Sequence, residues 1–305
     1  MRRILLITIL ITSAVTAFCL GDKTAYYQPY TFEYEGITLP YRQLELNQDK
    51  DGKSLLVVQL HGGTARGDNN TSQLEASAVD SVETYLRVHR SKAYFLLPQC
   101  GADRVWNESR KSYEVVMTDV LRAWLDDFIA THDIDFTRIY ITGYSAGGSG
   151  SWRMVNDNPG LFAAAAIAAA NPIMVTAQEV KATPVYAIAG SNDRFMDASK
   201  IETFVNSLIT LGGDAKFDLL DGKDHFGTCD EAFTKDRLDW IFGHRITVTG
   251  DVNSDGSVNA GDVSAVYNVM LGSETDADVM RRTDVNNDGS VNAGDVSAVY
   301  NVMLQ

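Results

Sequence analysis

The stretch Arg138–Gly150, RIYITGYSAGGSG, decides how the chain is read. Its first half is rich in β-branched and aromatic residues, as a short strand is. Its second half is small and glycine-rich and places Ser145 inside Gly-x-Ser-x-Gly. A serine there is either a nucleophile on a tight strand-to-helix turn or an ordinary residue of a flexible loop. The two readings differ in what they demand elsewhere. A nucleophile needs a base, an acid and an oxyanion hole, each near the end of a strand.

Outward from this stretch, strand-like and helix-like segments alternate over about 25–244. SLLVVQLHGG (54–63) and AYFLLPQC (93–100) are continuous apolar runs, as expected of fully buried strands. Val116, Val120, Trp124 and Phe128 recur at helical spacing and predict a helix from Tyr113 to about His132. LFAAAAIAAA (161–170) reads as a buried strand despite its alanines, and TPVYAIAG (183–190) as another. A helix at about Ala198–Leu211, a strand at AKFDLL and a closing helix from Glu231 to Phe242 complete the pattern. Such alternation predicts an α/β fold: a doubly wound, mostly parallel sheet covered on both faces. The active site is then expected at the carboxyl ends of the strands.

Acid and base should follow the nucleophile in the chain. Of the five histidines, only His225 and His244 lie between Asp193 and the C-terminus. His244 falls in the link after the last helix, so His225, in the polar loop DGKDHFG, is the expected base. Asp193, at the end of AIAGSNDRF, is the expected acid, with Asp197 and Asp224 as stand-ins. LHGG (60–63) ends a buried strand where backbone N–H groups can face a developing charge, so Gly63 and Ala146 are the expected oxyanion donors. His61 is read as a brace for that loop. Trp106 either lines the pocket or packs the core, and Trp152 is read as core. Cys100 and Cys229 are either bridged or buried as free thiols; a bridge would pin the base loop.

The stretch from ITLPYRQLEL through LHGGTARGDNN, YFLLPQCGADRVW and RIYITGYSAGGSGSW to LFAAAAIAAA resembles the predicted-peptidase and esterase group of α/β-hydrolases. These are relatives of polyhydroxybutyrate-depolymerase-like, feruloyl and acetyl-xylan esterases. The resemblance covers about 37–243 and implies Ser145, Asp193 and His225 as a catalytic triad. The chain departs from the commoner pattern at NDRFMD, just after the expected acid. Serine peptidase activity and a non-catalytic binding role on the same fold are the alternatives. A carboxylate at His225 separates the last of these from an enzyme.

The C-terminal part has different chemistry. DVNSDGSVNAGDVSAVYNVML (251–271) recurs 33 residues later with one substitution, Ser254 against Asn287. Residues 249–305 carry nine Asp and Glu against two Arg, a net charge of −7 out of −14 for the chain. Oxygen-bearing side chains occupy positions 1, 3, 5, 9 and 12 of each twelve-residue loop. They are Asp251, Asn253, Asp255, Asn259 and Asp262, then Asp284, Asn286, Asp288, Asn292 and Asp295. Gly256 and Gly289 stand at the sharp turn, and Ser257 and Ser290 offer backbone carbonyls. Hard oxygens in this spacing predict two Ca²⁺ loops, with Asp in place of the usual final Glu. Val263, Val266, Val269 and Met270 predict a helix after the first loop.

One loop and one helix, twice over, resembles type I dockerins, which implies a small all-α domain and a cohesin-type scaffold as partner. Ala260 and Gly261 stand where recognition residues are common in that family, so a tail packed on its own catalytic domain is the alternative. A module this small is expected to need its ions to fold.

The leader MRRILLITILITSAVTAFCLG (1–21) has the positive start, short apolar run and small residues of a secretory signal. Secretion is expected. Lipid attachment at Cys19 is disfavoured by the bulky Phe18 before it. The net charge of −14 argues against nucleic acid or an anionic membrane as principal partner.

Overall fold

The computed structural model describes residues 22–246 and, in the tail, 249–304 apart from 254, 256, 275, 276 and 287. The leader at 1–21 and the turn glycine Gly256 lie outside the described residues. Elements follow in the order β1 (Gln28–Tyr34), β2 (Ile37–Leu46), β3 (Ser54–Leu60), α1 (Ser77–Val88), β4 (Ala93–Pro98) and α2 (Met117–Thr131). Then come β5 (Ile134–Tyr144), α3 (Ala146–Asp157), β6 (Ala164–Ala168), α4 (Ala177–Val180), β7 (Val185–Gly190) and α5 (Ala198–Thr210). β8 (Ala215–Leu220), α6 (His225–Glu231) and α7 (Lys235–Phe242) close the larger part.

The eight strands form one sheet in the order β1-β2-β4-β3-β5-β6-β7-β8. β1 and β2 are antiparallel, β2 is antiparallel to β4, and every other pairing is parallel. The β1–β2 hairpin was not read from the sequence. Its two-residue turn, Glu35-Gly36, has positive φ at both positions, the geometry that matches strand twist.

Burial explains the continuous apolar strands. In β3, Leu56, Val58 and Leu60 pack into one core and Leu55 and Val57 into another, so the strand is covered on both faces. Helices α2, α3 and α5 cover the first face and α1 and α7 the second. β6 is nearly all alanine and wholly buried, as expected of a strand that α3 and α7 approach closely.

Three boundaries differ from expectation. α2 starts at Met117 rather than Tyr113, because Glu108 Oε2 accepts the Met117 N–H at 2.9 Å and caps the helix there. The closing helix starts at Lys235 rather than Glu231, and a separate helix, α6, precedes it and ends at Glu231. His225 consequently begins a helix instead of sitting in a loop.

In the tail, α8 (Ala260–Met270), α9 (Ala277–Thr283) and α10 (Ala293–Met303) surround a small valine core. Val252, Val263 and Val266 from the first repeat meet their equivalents Val285, Val296 and Val299 from the second. Met270 is exposed rather than part of that core. Among the described residues no helix is long and apolar enough to cross a membrane.

Candidate active site

β5 delivers Ser145 to the carboxyl edge of the sheet, and α3 begins at the next residue. Ser145 has φ 54° and ψ −123°, a strained conformation for a residue with a side chain. The flanking glycines make that turn possible. A Cβ on Gly143 would lie 2.4 Å from Ser151 Oγ, and one on Gly147 would lie 1.9 Å from the Leu60 carbonyl oxygen. Ser145 N–H is tied to the Ala168 carbonyl at 2.9 Å, which fixes the turn against β6.

β7 and β8 bring the other two groups. The Ser145 hydroxyl stands 2.8 Å from His225 Nε2, and His225 Nδ1 stands 2.8 Å from Asp193 Oδ2. With Asp193 ionised, Nδ1 carries the proton and Nε2 is left to accept from serine. The side chain of Asp193 is 1% exposed and that of His225 is 8% exposed, so water is largely kept from their bond. The stand-ins are occupied elsewhere. Asp197 caps α5 through the Ser199 and Lys200 N–H groups, and Asp224 caps α6 through Gly227 N–H. His244 bonds the Trp240 carbonyl and Asp214.

The loop after β3 is held by His61. Its Nδ1 donates to the Gly62 carbonyl at 2.7 Å, and its Nε2 accepts the Cys100 N–H at 2.9 Å. Burial drives its pKa down to about 4, so it stays neutral and its acceptor nitrogen stays available. Trp106 is core, not pocket: it is buried and its indole N–H donates to the His61 carbonyl at 3.1 Å. Trp152 is also buried, as expected.

Cys100 and Cys229 are both free and buried, so the bridge is not formed. They occupy separate surroundings. Cys100 joins the apolar core beside Glu108 and Arg104, whereas Cys229 lies beside Asp193 and Asp230 and lines the catalytic cavity. Burial pushes both thiols up to about 12.

A cavity of about 340 Å³ opens beside Ser145, lined among others by Gly63, Tyr144, Glu75, Phe226 and Cys229. Sequence reading missed Glu75, which lies just before α1, a helix not foreseen. It also missed Tyr144, although that residue directly precedes the nucleophile. Gly63 begins a 3-10 turn, and Ala146 is the first residue of α3.

In the tail, both loops repeat one hydrogen-bond pattern. Asp262 and Asp295, fully buried, each accept N–H groups from loop positions 3 and 9. Asp251 and Asp284 each accept the N–H at position 5. Among the described residues, no three His, Cys, Asp or Glu side chains converge as a preformed metal cluster.

Residues 99–238 match the dienelactone hydrolase family, and residues 249–304 match the dockerin type I domain. No curated protein matches the chain. Among solved structures it is similar to a thermostable esterase, with 25% identity and a TM-score of 0.62 over 72% of this chain and 64% of that one. The chain thus spans a little under two thirds of that esterase. It is also similar in fold to S-formylglutathione hydrolase from Staphylococcus aureus (16% identity, TM-score 0.52, 71% and 98% covered). A ferulic acid esterase gives 16% identity and a TM-score of 0.54 over 71% and 96%. The chain joins an α/β-hydrolase-fold domain with an assembled serine hydrolase triad to a small all-α region matching a dockerin domain.

Proposed function

We propose that the protein is a secreted carboxylic-ester hydrolase acting on acylated plant cell-wall polysaccharide, acetyl or feruloyl. The observation that carries the hydrolase reading is the line Ser145–His225–Asp193, with both links at 2.8 Å, beside a cavity of about 340 Å³.

In the first half-reaction, Ser145 Oγ attacks the ester carbonyl and passes its proton to His225 Nε2. Asp193 stabilises the imidazolium that forms. The carbonyl oxygen becomes an oxyanion between the Gly63 and Ala146 N–H groups. Two facts support that assignment: each residue starts a helical turn, so its N–H has no acceptor in that turn, and a Cβ on Gly63 would lie 3.9 Å from Ala146 Cβ. The tetrahedral intermediate collapses as His225 gives its proton to the departing alcohol. Water then repeats the sequence on the acyl-enzyme, with His225 as its base.

Ester rather than amide chemistry is supported by the likeness to the thermostable esterase. The polysaccharide is inferred from the tail, because a dockerin implies a cohesin-type scaffold shared with other enzymes. Asp251, Asn253, Asp255, Ser257 and Asp262 would hold one Ca²⁺, and Asp284, Asn286, Asp288, Ser290 and Asp295 a second. All offer hard oxygens, and the donor set suits calcium. The ion would supply folding energy to the loops and no step of the hydrolysis.

The test is a comparison of rates on acetylated xylan, feruloylated xylan and peptide amides. Release of acetate or ferulate well above amide cleavage is expected. Amide cleavage at comparable or higher rates would replace this reading with a peptidase.

A further inference from the structure

We infer that Phe195 and Phe226 form a platform for the alcohol half of the ester, and that this half is a sugar ring. The inference rests on the polysaccharide-ester reading and adds the residues that would recognise it.

Phe195 is 69% exposed and Phe226 is 62% exposed, although both stand directly beside the catalytic base. Their ring centres lie 5.0 and 5.6 Å from that of His225, and 6.4 Å from each other. Two aromatic rings left open to water around a buried histidine are a costly arrangement unless something covers them. Neither is loosely placed. Phe195 N–H donates to Asp193 Oδ1 at 2.8 Å, so the acid's second oxygen fixes the segment that carries the ring. Phe226 follows His225 directly in α6.

The chemistry of the base sets which half of the substrate meets these rings. His225 must return its proton to the leaving oxygen, so the alcohol lies on the histidine side of the reacting carbon. On that side a groove of about 940 Å³ runs between the loops after β7 and β8. Its walls include Asn192, Arg194, Phe195, Lys223 and Phe226; Ser145 is not among them. The smaller cavity that does contain Ser145 and Gly63 is left for the acyl group, with Phe226 shared between the two spaces.

The groove combines flat apolar rings with donors at its rim. Arg194 is exposed and has no ion-pair partner among the described residues, and Asn192 Nδ2 reaches the Gly222 carbonyl at 3.2 Å. A pyranose or furanose ring has the matching surfaces: C–H faces for the phenyl rings and hydroxyl edges for Arg194 and Asn192. A plain alkyl alcohol would leave the rim unused. Phe195 lies in NDRFMD, the stretch where the chain departs from the commoner pattern.

The experiment compares pairs of esters with one acyl group, on a xylo-oligosaccharide and on ethanol. The proteins are the full chain, its Phe195→Ala and Phe226→Ala variants, the double variant, and Phe195→Tyr with Phe226→Tyr. The expected result is a wild-type kcat/KM that favours the sugar ester. That preference should fall at least tenfold in the double alanine variant, mostly through KM, and return with tyrosine, which keeps the flat ring. Since both rings are exposed, unchanged thermal unfolding is expected alongside. A wild-type preference that survives both alanines would overturn the platform and leave the polysaccharide reading standing. A wild-type enzyme with no preference for the sugar ester would overturn both. Equal loss on both esters would assign the rings to holding His225 in place and overturn their role in recognition.

Discussion

The two oxygens of Asp193 do different work: Oδ2 faces His225 Nδ1 at 2.8 Å, while Oδ1 accepts the N–H groups of Phe195 and Met196 at 2.8 and 3.0 Å. The second pair of bonds orients the carboxylate so that the first can orient the imidazole. Asp193→Asn keeps the size of the group but removes the charge that selects the productive tautomer. A fall in kcat of about 10³–10⁴-fold with the fold retained is expected. Asp197→Asn, at the cap of α5, should cost little activity. Steady-state kinetics and far-ultraviolet circular dichroism on both variants check this; equal losses in the two would reject the assignment.

The turn at Ser145 has no room for extra atoms. Gly147→Ala would set a Cβ against the Leu60 carbonyl oxygen, which belongs to the central strand β3 and cannot step aside. A loss of at least about 2 kcal/mol is expected, since overpacking alone costs ~1–3. Urea unfolding of the purified variant measures it.

His61 gives the fold a pH dependence. Its folded pKa of about 4 lies below the ordinary histidine value, so the unfolded chain takes up the proton first as pH falls. Its contribution is complete above about pH 6.5 and is lost as pH falls through that window toward 4. The size is on the order of 3 kcal/mol for a wholly buried imidazole. Unfolding free energies of wild type and His61→Gln between pH 4 and 7 should diverge in slope. Parallel curves would show that His61 is not the group that titrates.

The thiols offer a direct check on the packing. Cys100 and Cys229 are buried and their thiols are pushed up to about 12, so a thiol reagent should leave the native protein unmodified. After denaturation without reductant, both Cys100 and Cys229 should react. No reaction after denaturation would mean that a bridge had formed.

Chelation separates the two parts. Removing calcium should unfold the tail, seen as loss of a low-temperature transition and of helical signal, while ester hydrolysis continues. Joint loss of both would mean that the tail contributes to the stability of the hydrolase domain.

Much of this was legible in the sequence because the decisive signals are local. Gly143 and Gly147 announce the turn, and the runs that form β3, β4 and β7 announce buried strands. Asp193 could be placed because it follows a strand end, but its advantage over Asp197 is a matter of three-dimensional aim. What escaped reading was in part local signal passed over and in part contact between distant segments. The β1–β2 hairpin does alternate, with Tyr30, Phe32 and Tyr34 set between Thr31 and Glu33 ahead of the Glu35-Gly36 turn, and sequence reading passed over that signal. α1 does carry an apolar stripe, Ala78, Val79, Val82 and Leu86, which sequence reading passed over, and with it Glu75 was missed. α6 reads as a loop because its start lies in the polar, glycine-flanked run DGKDHFG, so only α7 is expected as a helix, with its start placed four residues early at Glu231. The fate of the cysteines depended on which neighbours each acquires, which no spacing encodes.

The central claim is that Ser145 is an activated nucleophile. The most direct measurement is labelling with a fluorophosphonate probe, followed by mapping of the modified peptide, beside Ser145→Ala and His225→Ala. The account predicts labelling at Ser145 in the wild type, none in Ser145→Ala, and a large loss in His225→Ala. A folded wild-type protein that takes no label at Ser145, or one labelled equally well without His225, would contradict it.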